Sequence, residues 1–253
     1  MNLEIIKEDK FEYVEKGEGP VILLLHGLFG ALSNFHDVID YFSGRYRVVI
    51  PIMPIYTLPV INTNVKNLAS FIEDFIEFKG FDKVNILGNS LGGHVGLVYT
   101  SKFPEKVNTL TLTGSSGLYE NSLGSSFPKR SDKNFIRKRV EVTFYDPKNA
   151  TDELVDECFD IVNDKTKVIR ILSLAKSAIR HNMNDELPSL TMPCCLIWGK
   201  DDEITPPEVA EEFHELLPNS SLYWIDKCGH APMMEQPKEF NGILDDWLTK
   251  QQF

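Results

Sequence analysis

Apolar residues along this chain fall into short continuous runs separated by longer segments of helical spacing. "VILLLHG" (21–27), "RVVIPI" (47–52), "KVNILG" (83–88), "VNTLTLTG" (107–114), "CCLIWG" (194–199) and "SLYWID" (221–226) are each bounded by glycine or charge. Runs of that length and continuity predict strands buried on both faces. Between them, "NVKNLASFIEDFIEFKG" places Val65, Leu68, Ile72, Phe75 and Ile76 on one helical face and stops at Gly80. An amphipathic helix with a C-terminal glycine follows from that spacing. The segments after Pro207 and Pro237 read as helices opened by proline and stocked with acidic residues near their first turns. Alternation of this kind predicts an α/β fold, a mostly parallel central sheet with helices on both faces.

The alternation lapses between about Ser115 and Pro188. That stretch opens on the Gly- and Ser-rich "GSSGLYENSLGSSFP" and continues through charged, helix-prone segments such as "KNFIRKRVEVTFYD", "DELVDECFDIV" and "KVIRILSLAKSAI". We expect 1–114 and 189–253 to form one core and 115–188 to form an inserted helical cap over the C-terminal sheet edge, where parallel sheets bind ligands.

Charge and composition narrow the classes of function. With 42% hydrophobic residues among 253, the chain can bury a large core. A balance of 26 Lys+Arg against 37 Asp+Glu leaves a formal charge of −11, which repels phosphate backbones and anionic lipid. Neither nucleic acid nor membrane is expected as a partner. The charged start "MNLEIIKEDKFEYVEKGEGP" lacks the apolar segment of a signal peptide, so a cytoplasmic location is expected. Cys158, Cys194, Cys195 and Cys228 show no paired CxxC spacing and are expected to be free thiols, with no metal and no cofactor.

Candidate chemistry centres on "ILGNSLGGH", residues 86–94. Gly88-Asn89-Ser90-Leu91-Gly92 is a G-x-S-x-G between an expected strand and an expected helix, the setting of a nucleophile elbow. A serine hydroxyl is a weak nucleophile, so it needs a histidine base and a carboxylate to orient that base. Of the six histidines, His230 in "DKCGHAPMMEQP" follows the last expected strand and is placed to overhang the sheet edge. His26 is expected to order its own turn, His94 to pack or to bond locally, and His181 to pack or to face the site from above. For the acid, "WGKDDEITPP" offers Asp201, Asp202 and Glu203, of which Asp202 is chosen; no acidic residue follows directly on the strand ending at Gly114. The order Ser90, Asp202, His230 is the one expected for a triad on such a sheet. The backbone N–H groups of Leu28, in "LLLHGLFG", and Leu91 would form the oxyanion hole.

"HGLFG", "GNSLGG", "WGKDDEITPP" and "CGHAPMMEQP" together resemble the α/β-hydrolase fold superfamily, over nearly the whole chain. "SNF" at 33–35 and "KCGHA...EFN" are similar to the meta-cleavage product hydrolases, which cut carbon–carbon bonds in dienoic diketo acids. That resemblance implies Asn34 and Asn89 as polar groups of the site and the insertion as a helical cap. It departs from the subgroup at three places. Cys158 stands where a cap arginine would anchor the substrate carboxylate, and Ala231 replaces the aromatic residue after the histidine. The apolar, proline-rich "PIMPIYTLPVI" replaces an acidic loop beside the site. Ile55 and Tyr56 of that loop are expected to line the pocket with Phe29, or else to fold into the core. The reading is a serine hydrolase of modest-sized apolar carboxylic esters. Carbon–carbon hydrolysis is the alternative, and a small-molecule receptor on the same scaffold is the reading from a different class.

Overall fold

A computed structural model describes residues 4–29, 32–121 and 129–251. Its centre is one sheet of eight strands: β1 (Ile6–Glu8), β2 (Phe11–Lys16), β3 (Val21–Leu25), β4 (Arg47–Pro51), β5 (Val84–Asn89), β6 (Val107–Thr113), β7 (Cys194–Gly199) and β8 (Ser220–Ile225). They lie in the order β1-β2-β4-β3-β5-β6-β7-β8, parallel from β4 onward and antiparallel at the β1-β2-β4 edge.

The continuous apolar runs have a direct cause in this arrangement. Successive side chains of a strand point to opposite faces. Leu23 and Leu25 therefore join one core with Ile86, Leu110 and Trp198, while Ile22 and Leu24 join the other with Leu87 and Ile197. Helices α2 (Val65–Lys79), α3 (Leu91–Lys102) and α7 (Pro207–Leu216) cover the first face. Helix α1 (His36–Phe42), the short α8 (Pro232–Glu235) and α9 (Pro237–Leu248) cover the second. As its spacing predicts, α2 buries Val65, Leu68, Ile72, Phe75 and Ile76, is capped by the Asn64 side chain on the Asn67 N–H at 2.9 Å, and ends at Gly80 with φ 64°.

Two elements differ from expectation. Strand β8 is half-exposed along Ser220–Trp224 because it is an edge strand with one neighbour. The β1-β2 hairpin was not anticipated; its one apolar pattern, Phe11, Tyr13 and Val14, is too short to stand out beside the buried runs.

Between β6 and β7 the described residues hold α4 (Lys133–Glu141), α5 (Asp152–Asn163) and α6 (Lys165–Arg180) and no strand. Asp132, Thr151 and Asp164 cap the three N-termini with their side chains. Part of the expected opening tract, residues 122–128, lies outside the described residues. Helix α6 docks on the segment 52–65. The Arg170 guanidinium donates to the Leu58 carbonyl at 2.7 Å, Ser173 Oγ donates to the Thr63 carbonyl at 3.1 Å, and the Val65 N–H donates to Ser177 Oγ at 3.1 Å. The insertion thus faces the C-terminal ends of the parallel strands.

Candidate active site

Ser90 occupies the turn between β5 and α3 with φ 55° and ψ −123°, a conformation costly for any residue with a side chain. Close packing holds it there. A Cβ on Gly88 would lie 2.5 Å from the Gly93 Cα, and one on Gly92 would lie 2.0 Å from the Leu25 carbonyl oxygen. Only glycine fits at either place. The Ser90 carbonyl accepts the His94 and Ser116 N–H groups, each at 3.2 Å, which fixes the turn from both sides.

His230 and Asp202 form a buried pair. His230 Nδ1 lies 2.9 Å from Asp202 Oδ2 and 3.2 Å from Oδ1. The carboxylate also accepts the Ile204 and Thr205 N–H groups at 2.8 and 3.0 Å and the Thr205 hydroxyl at 2.8 Å. These donors satisfy the negative charge and leave the oxygen toward the imidazole fixed. Its neighbours Asp201 and Glu203 are exposed, which accounts for the choice among the three. Thr205 was not anticipated as a partner; its place in the tight turn after β7 is the signal that identifies it.

One cavity of about 160 Å³ gathers most of the expected residues. Ser90, His230, Leu28, Leu91, Phe29, Asn34, Asn89, Cys158 and Ala231 all line it. Leu91 opens α3, and the first N–H groups of a helix have no acceptor within it. Behind Leu28, His26 receives the Met53 N–H on Nε2 at 3.2 Å and bonds the Gly27 carbonyl through Nδ1 at 3.0 Å. Burial holds His26 below the ordinary histidine range, so the ring is neutral with its proton on Nδ1. The expectation that His26 orders its own turn holds.

The candidate residues do not all present a side chain to the cavity. Ile55 and Tyr56 do not line the cavity: Ile55 is buried in the core, and Tyr56 packs against the same core with its hydroxyl toward the Leu28 carbonyl at 3.4 Å. Met53 and Ile55 turn into the core, whereas Val60 and Ile61 at the far end of the segment are exposed. The Asn89 amide is committed to backbone, donating to the Thr113 carbonyl at 3.0 Å and the His230 carbonyl at 3.1 Å. His94 is packed, fully buried, and its Nε2 meets His181 Nδ1 at 3.0 Å, so His181 braces α3 and is not a lining residue.

Others were not foreseen. From α4 and the turn after it, Ile136, Arg139, Val140, Thr143 and Phe144 enter the cavity wall. The segment after β6 is not empty of acid: Glu120 lines the cavity and accepts the Ser116 hydroxyl at 2.5 Å. Burial pushes the Glu120 carboxyl above the usual range, opposed by that hydrogen bond and by His230. Burial, with Glu157 nearby, pushes the Cys158 thiol up to about 12. All four cysteines are free and buried. Among the described residues no group of His, Cys, Asp and Glu is arranged to hold a metal ion, and no helix is long and apolar enough to cross a membrane.

A family described as alpha/beta hydrolase fold matches residues 20–159 and 159–237. A solved structure titled as an alpha/beta hydrolase enzyme from the metagenome of sediments of the Mar Chica lagoon, Morocco, is 46% identical, covers 99% of this chain and 100% of its own, and superposes with a TM-score of 0.82. A Metapseudomonas resinovorans protein named 2-hydroxy-6-oxo-6-(2'-aminophenyl)hexa-2,4-dienoic acid hydrolase is 28% identical over 94% of this chain and 87% of its own. A Moraxella protein (strain TA144) named Lipase 3 is 23% identical over 94% of this chain and 81% of its own.

Proposed function

The chain belongs to the alpha/beta hydrolase fold family, and from that premise we propose that it is a serine hydrolase acting on carboxylic esters of modest size with apolar acyl groups. His230, paired with buried Asp202 and lining one cavity with the strained Ser90, carries this reading. In it, Ser90 Oγ attacks the ester carbonyl while His230 takes its proton, and the Leu28 and Leu91 N–H groups receive the oxyanion. His230 then gives the proton to the leaving alcohol. Water, deprotonated by His230, releases the acid from the acyl-enzyme and restores the serine. Asp202 orients the imidazole throughout. The insertion serves as the cap, contributing Ile136, Val140, Leu154 and Val162 as apolar wall. Asn34, whose buried Oδ1 has no hydrogen-bond partner, is placed to accept a donor from the substrate.

A second reading has a specific observation behind it. Arg139 enters the cavity from α4 and supplies a cation in a cap that lacks one at Cys158. It favours carbon–carbon hydrolysis of a diketo acid, the reaction for which the Metapseudomonas relative is named. A screen of p-nitrophenyl esters, thioesters and dienoic diketo acids, run beside Ser90→Ala, separates these readings. Ester turnover lost in Ser90→Ala is the expected result. Ligand binding with no turnover of any class would replace the enzyme by a receptor.

A further inference from the structure

Glu235 lies in α8, five positions after His230, and is bonded to both the core and the insertion. On the core side, its Oε2 accepts the N–H of Gly229, the residue before His230, at 2.7 Å. On the insertion side, the same oxygen accepts the Tyr145 N–H at 3.1 Å, and Oε1 accepts the Asp146 N–H at 2.7 Å and the Asn149 side-chain amide at 3.1 Å. Four N–H donors on one carboxylate, from chain segments some 80 to 90 positions apart, make a single joint.

The joint sits beside a second contact of the same two segments. His230 donates its own N–H to the Thr143 carbonyl at 2.8 Å. Gly229 presses so close that a Cβ there would lie 2.6 Å from the Thr143 carbonyl oxygen. The backbone donors of both Gly229 and His230 are therefore answered by Glu235 and the turn after α4. That turn also supplies Thr143 and Phe144 to the cavity wall. Where the cap sits and where the imidazole sits are one variable.

We propose that Glu235 is a positioning residue, a carboxylate clamp that holds the His230 loop in register with the cap, so that the base is competent only when the cap is seated. The proposal rests on the reading of His230 as the base. A glutamine at 235 keeps one acceptor oxygen and brings an NH2 group to face donors that the second oxygen now serves, so it opens the clamp at nearly constant volume.

The experiment is steady-state kinetics of the full-length protein on its best p-nitrophenyl ester, with burst titration of active sites and a thermal melt for each variant. Ser90→Ala and His230→Ala come first: turnover surviving in either refutes the reading of the base, separately from the clamp. For Glu235→Gln we expect kcat to fall roughly 10- to 100-fold, as small misplacements of catalytic groups do, with KM changed less than about 3-fold. Asn149→Ala, which removes one cap-side bond, is expected to lower kcat by about 2- to 5-fold. The double variant should be no worse than Glu235→Gln, since both act on one joint. Wild-type kcat per active site in folded Glu235→Gln overturns the proposal, as do losses that multiply in the double variant. Should Glu235→Gln fail to fold, Asn149→Ala decides: a reduced kcat at unchanged KM supports the clamp, and an unchanged kcat overturns it.

Discussion

At the scale of single residues, the site keeps an unfavourable backbone conformation at Ser90. A non-glycine residue at φ 55° and ψ −123° costs on the order of 1–3 kcal/mol, and the packing of Gly88 and Gly92 holds it in place. Ser90→Gly should therefore raise stability by about 1 kcal/mol in urea denaturation while abolishing turnover. A destabilised glycine variant would mean that the serine side chain itself supports the turn. Asp202 and Asp201 give a second test. Asp202→Asn should cut kcat by roughly 10⁴-fold, because an amide permits the wrong imidazole tautomer, whereas exposed Asp201→Asn should stay within about 2-fold. Equal losses would sink the assignment. These residues were legible in the sequence because each comes within five positions of the end of an expected strand, where a side chain meets the sheet edge. Glu120 was not legible: six residues separate it from the end of β6, and only the path of the intervening chain brings it to the cavity.

At the scale of elements, strands β3 to β7 followed from the pattern because burial on both faces writes an unbroken apolar run, and α2, α7 and α9 followed from their spacing and prolines, whereas the β1-β2 hairpin did not. The sides of the inserted helices did not. "KNFIRKRVEV" reads as a charged helix, and which of its residues face the cavity depends on how α4 docks, a tertiary fact with no local signature. The proline-rich segment 51–61 shows the same limit, since its apolar residues suited both wall and core. The burial of Ile55 in the core yields a prediction: Ile55→Ala should cost about 2–5 kcal/mol of stability and leave KM for long-chain and short-chain esters alike unchanged. A selective rise in KM for long chains would return Ile55 to the pocket. The contact between α3 and α6 carries a pH dependence. Burial lowers the His94 pKa from 6.5 to about 3, with His181 adding to the effect, and His181 is itself lowered by burial and Lys66 against Glu186. The unfolded chain then binds more protons than the native one between those values. Stability is complete above about pH 6.5 and falls as pH drops toward 3, by up to ~1.4 kcal/mol per unit for His94. Urea midpoints at pH 7.5, 6 and 5 should decline more steeply for the wild type than for His94→Gln; parallel declines would assign the acid sensitivity elsewhere.

At the scale of the whole molecule, the open question is the bond that is cut, and the cavity answers with two opposed charges in an apolar wall. A diketo acid must bring its own carboxylate into this space, and an unpaired charge there costs several kcal/mol. Arg139 favours its entry, and the Glu120 carboxyl, once ionised, opposes it. At an effective dielectric of 20, two like charges about 8 Å apart repel by about 2 kcal/mol, enough to shift a specificity constant by more than tenfold. Burial raises the Glu120 pKa, so this repulsion grows with pH as the carboxyl ionises. Neutral esters meet no such term. The expected outcome is a kcat/KM for a p-nitrophenyl ester well above that for a dienoic diketo acid. Glu120→Gln should narrow the gap by raising diketo acid turnover by more than about tenfold and leave neutral esters within about 2-fold. If the diketo acid is turned over as well as the best ester, the ordering of substrates is reversed and Arg139 becomes its anchor. If Glu120→Gln changes neither substrate, the carboxyl stays neutral in the cavity and the discrimination lies in the shape of the cap.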